Sequence, residues 1–198
     1  MPSSVTGMTP QTANIATDTP STASESSASE SSASKSAAPR PAPSSSQLVT
    51  GSNTVRSAVD ELAPHINKAM NALEAASRKT RIEAPLQELV RARASQLNGC
   101  AYCVDMHTAD ARKGGETEQR LFALPVWRDT PFFTARERAA LALTEAATRL
   151  TEAPVSDEVF AAAAEQFDEV ELAELIWVIA VINTWNRLGA TAHAWPLS

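Results

Sequence analysis

PLQELVRARASQLNGCAYCVDMHTADARKGG, residues 85–115, is the stretch that decides the fold. Pro85 suits the first turn of a helix, where its missing N–H is no loss. Leu86, Leu89, Val90 and Leu97 then supply much of one apolar helix face. Asn98-Gly99 ends that helix, because glycine readily takes the left-handed conformation that closes a C-terminus. A second helix is expected from Cys100 to about Lys113, closed by Gly114-Gly115. Two helices with so short a break between them fold back on one another as an antiparallel hairpin.

Outward from this hairpin the patterns stay helical. Residues 55–78 read as a helix interrupted by Pro64, with Ile66, Met70 and Leu73 spaced along one face. His65 lies beside that stripe and reads as a surface or packing histidine. A short helix is expected over 116–123, with Glu116 and Glu118 at the positive end of its dipole. PVWRDTPFF, residues 125–133, reads as a loop. Thr134 with Glu137 three residues on forms a capping box ahead of a helix over 135–150. Ser156 opens a helix over 157–167, and the last helix spans 169–188. That last helix is strongly apolar from Leu172 to Trp185, so it is expected to be buried on several faces or to lie in a subunit interface. No stretch alternates in the manner of a strand. The expected class is all-α, an antiparallel helical bundle with short connections.

The ends of the chain differ in composition. Of 198 residues, the first 50 contain 35 that are Ser, Thr, Ala or Pro, and the first aromatic residue is Tyr102. Such a segment buries too little apolar surface to offset its ordering entropy. Residues 1–52 are therefore expected to be a disordered tail and 53–198 a single helical domain. The net charge is −6, without the clustered basic face of a nucleic-acid binder or a polybasic membrane anchor. No apolar run is long enough to span a bilayer, and no basic n-region precedes an apolar one at the N-terminus. A cytoplasmic protein that binds neither nucleic acid nor membrane is the expectation. The two cysteines form one CxxC, too few and too close for a secreted disulfide scaffold. That points to redox chemistry or to a metal.

The chemistry concentrates on Glu88, Cys100, Cys103 and His107. On a helix beginning near Cys100, Cys103 lies three residues on and His107 four more, which keeps all three on one face. Glu88 would be about 18 Å from Cys100 on a continuous helix. The Asn98-Gly99 break folds it back, so that antiparallel packing brings Glu88 alongside His107. The result is a carboxylate, an imidazole and two thiols in a row. A thiolate is the species that attacks a peroxide or a disulfide. The histidine can accept the thiol proton, and the carboxylate can orient the imidazole. The first product of peroxide attack is a sulfenic acid, and the neighbouring cysteine, one turn away, can condense with it to a disulfide. A thiol or dithiol reductant then regenerates the pair. On helix-terminus physics alone Cys100 is the more acidic thiol, being nearer the start of its helix. Two other readings compete with this one. The first is a zinc-binding module, although structural zinc usually draws on two separated ligand pairs. The second is a non-catalytic redox sensor or scaffold whose CxxC merely reports oxidation. No resident cofactor or metal is expected.

The run from Glu88 to Leu121 resembles the signature of the alkylhydroperoxidase D-like branch of the carboxymuconolactone decarboxylase family: Glu, eleven residues, CxxC, three residues, His. Residues 127–148 and INTWNRL at 182–188 are also similar to that family. The resemblance implies an all-helical fold that assembles as a homotrimer or homohexamer. It implies reduction of a small-molecule hydroperoxide, a peroxiredoxin-type activity. It also implies that Cys103, nearer His107, is the attacking thiol and Cys100 the resolving one. The best-studied alkylhydroperoxidase D type has a second histidine between its cysteines, where Tyr102 stands here. Lactone decarboxylases of the family lack the CxxC, so the dithiol argues against decarboxylation.

Overall fold

A computed structural model describes residues 54–195 and 197. The expected tail, residues 1–52, lies outside the described residues. Among those described there is no strand, and the helices are α1 (Val59–Leu62), α2 (Pro64–Ser77), α3 (Ala84–Asn98), α4 (Ala101–Lys113), α5 (Glu118–Ala123), α6 (Ala135–Thr148), α7 (Asp157–Ala164) and α8 (Glu169–Ala192).

The α3–α4 hairpin forms as its sequence requires. Gly99 takes φ 67°, ψ 29°. Its N–H donates to the carbonyl of Gln96, and that of Cys100 to the carbonyl of Ser95. Cys100 then serves as the N-cap of α4, its sulfur accepting from the Cys103 N–H at 3.3 Å. Pro64 does not interrupt a helix from within. It starts α2 in the first turn, which divides the expected 55–78 stretch into two helices. The Thr134–Glu137 capping box is present at α6, and a second one, Asp168 with Glu171, opens α8.

Several boundaries differ from expectation. Thr117 caps α5, which leaves Glu116 outside it. The expected loop at 125–133 begins with a 3-10 helix, Leu124–Asp129. The α7 helix stops at Ala164, and α8 continues to Ala192.

The centre of the bundle is α3, not the most apolar helix. Every residue from Leu86 to Ser95 is buried, including Gln87, Glu88, Arg91, Arg93 and Ser95. Leu86 and Val90 pack with Leu143, Phe167, Leu175 and Val178 on one side. Leu89 and Ala92 pack with Leu121, Leu124, Trp127 and Leu141 on another. The charged residues are tolerated there because each has a partner. Arg93, for example, donates from Nε to Glu145 at 2.8 Å.

The α8 helix buries Leu172, Leu175, Val178, Ile179, Val181 and Ile182 but leaves Ile176 and Trp177 exposed. The apolar stripe of α2 turns outward: Ile66 is 62 % exposed and Leu73 39 %. It is the polar stripe of α2 that faces the interior. His65 is on the surface, as expected.

Candidate active site

The hairpin brings all four candidate residues into one buried cluster. Glu88 on α3 and His107 on α4 meet with His107 Nδ1 2.7 Å from Glu88 Oε2. Both are buried, as are Cys100 and Cys103. Cys103 and His107 are four residues apart on α4, and both line one pocket of about 310 Å³. Cys100 does not line it. The two sulfurs are joined, Cys100 to Cys103, as a disulfide. They nevertheless have different surroundings. The Cys100 sulfur accepts the Cys103 amide at the helix terminus, and Cys103 faces the pocket beside the imidazole.

Behind the imidazole lies an ion cluster that sequence reasoning did not identify. Glu88 Oε1 accepts from Arg91 Nη1 at 3.2 Å and from Arg78 Nη1 at 3.3 Å. Arg78 Nε also donates to Glu74 Oε1 at 2.7 Å, and Arg91 Nη2 lies 3.7 Å from the same oxygen. Ser77 Oγ accepts from Arg91 Nη2 at 3.3 Å. Trp185 on α8 closes the group, its indole N–H donating to Glu74 Oε2 at 3.2 Å.

This arrangement fixes the charge on Glu88. Burial alone would raise its pKa, but the His107 hydrogen bond and charge, with Arg91 and Arg78, outweigh it and hold the carboxyl below the usual range. The Arg91 guanidinium is itself pushed down, by burial first, with Arg78 acting in the same direction and Glu74 and Glu88 opposing. An ionised Glu88 only accepts hydrogen bonds. His107 Nδ1 therefore carries the proton it donates to Glu88, and Nε2 is the nitrogen left to exchange a proton.

The pocket walls come from distant parts of the chain. One wall is the polar stripe of α2, Asn67, Asn71 and Glu74, continued by Arg78 at its C-terminal cap. The other carries Tyr102, Met106 and Ile182, with Trp185 and Trp195. Trp195 lies beyond α8, which ends at His193 in the left-handed conformation, φ 45°. Its ring packs 5.5 Å from Tyr102 and 5.6 Å from Trp185, and its indole N–H donates to Asp60 Oδ2 at 3.3 Å. Tyr102 is thus both packing and pocket wall. The charge spacings Glu74/Arg78 and Glu88/Arg91 were available in the sequence as helix-face pairs. Nothing local signalled Trp195 or Asp60. Among the described residues no group of three or more His, Cys, Asp or Glu side chains is placed to hold a metal ion. None of the described helices is long and apolar enough to cross a membrane.

The model of the carboxymuconolactone decarboxylase family matches residues 64–146. The chain is 42% identical over 128 residues to the uncharacterized protein YdfG of Bacillus subtilis, covering 65% of this chain and 87% of that one. It is 31% identical over 113 residues to the uncharacterized protein YnjA of Escherichia coli, covering 57% and 62%. Among solved structures, a protein of unknown function from Agrobacterium tumefaciens, named as a candidate antioxidant defence protein AhpD, superposes with a TM-score of 0.71. It is 33% identical, over 73% of this chain and 99% of that one.

Proposed function

This chain belongs to the carboxymuconolactone decarboxylase family, in its alkylhydroperoxidase D-like branch, and from that membership we propose that it is a thiol-dependent peroxidase. The observation that carries the reading is the shared pocket: Cys103 and His107 line it, and Glu88 holds His107 from behind.

In the reduced protein His107 Nε2 takes the Cys103 proton. The thiolate attacks the terminal oxygen of a hydroperoxide and breaks the O–O bond. Cys103 becomes a sulfenic acid, and the leaving alkoxide receives the proton from His107 and departs as an alcohol. The Cys100 thiol then displaces the sulfenic hydroxyl as water and closes the disulfide. Two thiol equivalents from a reductant return both cysteines to the dithiol. The helix-terminus environment of Cys100 favours its thiolate, which suits it both to attack the sulfenate and to leave when the disulfide is reduced. We assign the attacking role to Cys103 because it, and not Cys100, faces the pocket. The protein acts in the cytoplasm as a homotrimer or homohexamer.

The test is thiol-dependent peroxide consumption by two variants. Cys103→Ser is expected to abolish turnover. Cys100→Ser is expected to react once with peroxide and stall, with a dimedone-type probe trapping the acid on Cys103. Labelling of Cys100 in the Cys103→Ser variant, with the first step intact, would exchange the two roles. A wild-type protein that oxidises once and never turns over would instead be a redox sensor.

A further inference from the structure

Gly189 sits inside α8, and its φ is not in the region that calls for glycine. Glycine is the poorest helix former after proline, so its presence in a helix interior needs another cause. Packing supplies one. A Cβ on Gly189 would fall 2.7 Å from Cys100 Sγ, 3.5 Å from Cys103 Sγ and 3.4 Å from the Trp195 ring. The first distance is closer than carbon and sulfur approach without displacement. The Cys100 sulfur therefore occupies the space that a methyl group would need.

The two redox states respond differently to that space. In the disulfide, Cys100 Sγ is tied to Cys103, which is fixed on α4 and buried. It has nowhere to move unless α8 or the N-terminus of α4 moves with it. In the dithiol, Cys100 Sγ is the free end of a single rotatable bond and can take another staggered position. A side chain at position 189 would thus penalise the oxidised form more than the reduced one.

We propose that Gly189 is a positioning residue for the Cys100–Cys103 pair, leaving the room that lets the disulfide form and so setting its redox equilibrium. The proposal takes its biological meaning from the dithiol cycle proposed above, but the equilibrium is a property of the pair itself. Two electrons and two protons pass when dithiothreitol reduces the disulfide and is itself oxidised to its cyclic form.

The experiment equilibrates full-length wild type and Gly189→Ala with mixtures of reduced and oxidised dithiothreitol, then counts free thiols by alkylation and mass spectrometry. Gly189→Ala is expected to shift the equilibrium at least tenfold toward the dithiol, about 30 mV for a two-electron couple. Its melting temperature is expected to fall more in the oxidised protein than in the reduced one, because the two measurements are thermodynamically linked. An equilibrium within twofold of wild type would overturn the proposal. If oxidised Gly189→Ala does not fold, Cys100→Ala and Cys100→Ala/Gly189→Ala decide. With the sulfur gone, the double variant should melt at or above the single one, since alanine is the better helix former. A double variant that still melts well below Cys100→Ala would place the clash elsewhere and overturn the proposal. Absence of peroxide turnover in wild type would refute the peroxidase reading while leaving the equilibrium shift as it is.

Discussion

Replacing Glu88 by glutamine keeps the shape of the side chain and removes its charge, which makes it a direct test of the ion cluster. Glu88 is the shared acceptor of His107, Arg91 and Arg78, at 2.7, 3.2 and 3.3 Å. Breaking a buried ion pair from one side costs about 3–5 kcal/mol, because the other charge is left uncompensated. Two features reduce that here. Arg91 retains Glu74 at 3.7 Å, and the Arg78 side chain is 42% exposed, so its share is screened by solvent. A loss of about 2–3 kcal/mol is expected, or roughly 4–12 °C in melting temperature at 2–4 °C per kcal/mol.

The pH dependence has a definite sign. The folded-state carboxyl is depressed: burial would raise it, but His107, Arg91 and Arg78 prevail. A depressed carboxyl contributes stability that is fully present above its unfolded value of about 4.3 and is lost as pH falls through the folded value. The gap between wild type and Glu88→Gln should therefore be full from about pH 5 upward and close in more acid solution. Thermal melts by circular dichroism across pH 3–7 measure it. In the same variant, alkylation of the reduced dithiol at pH 7 should slow, and peroxide turnover should fall by roughly 10²–10⁴-fold. Equal melting temperatures near neutrality would refute the buried-cluster reasoning. An unchanged alkylation rate would refute the relay from Glu88 through His107.

Deleting residues 1–52 is expected to leave the melting temperature and the turnover rate nearly unchanged, and a fall of many degrees would show that the segment packs. Light scattering is expected to give a trimer or hexamer, and a monomer at micromolar concentration would contradict it. Leu62, Ile66 and Trp177 are exposed large apolar residues of the kind an assembly covers. Ile66→Asp combined with Trp177→Asp is accordingly expected to shift the scattering mass toward the monomer.

The local devices of this fold were legible because each acts over a few residues: the Gly99 turn, the Thr134–Glu137 box, Pro85 in the first turn of α3. The His107–Glu88 contact was also legible, although 19 residues separate the pair. One sharp turn between two helices of known rise leaves little freedom for where they meet. Hydropathy marked α8 as buried on several faces, and it is, with Ile176 and Trp177 left exposed. It put Ile66, Met70 and Leu73 on one face of α2 but carried no sign that this face turns outward, where Ile66 and Leu73 are exposed. Nor did it show that the bundle centres on α3, whose charges are neutralised by partners from other helices. The inward face of α2 is the polar one, because it borders a pocket and the Glu74–Arg78–Arg91–Glu88 cluster.

Sequence alone therefore determined the helical class, the hairpin and the row of Glu88, His107 and the two cysteines. Tertiary structure decided which sulfur faces the pocket, what closes over the other and what holds Glu88 ionised. Those depend on contacts such as Trp185 with Glu74, 111 residues apart, and Trp195 with Asp60, 135 apart. Helix periodicity states which residues share a face. It carries no information about which other helix docks there, since that choice is made by the packing of the whole bundle at once.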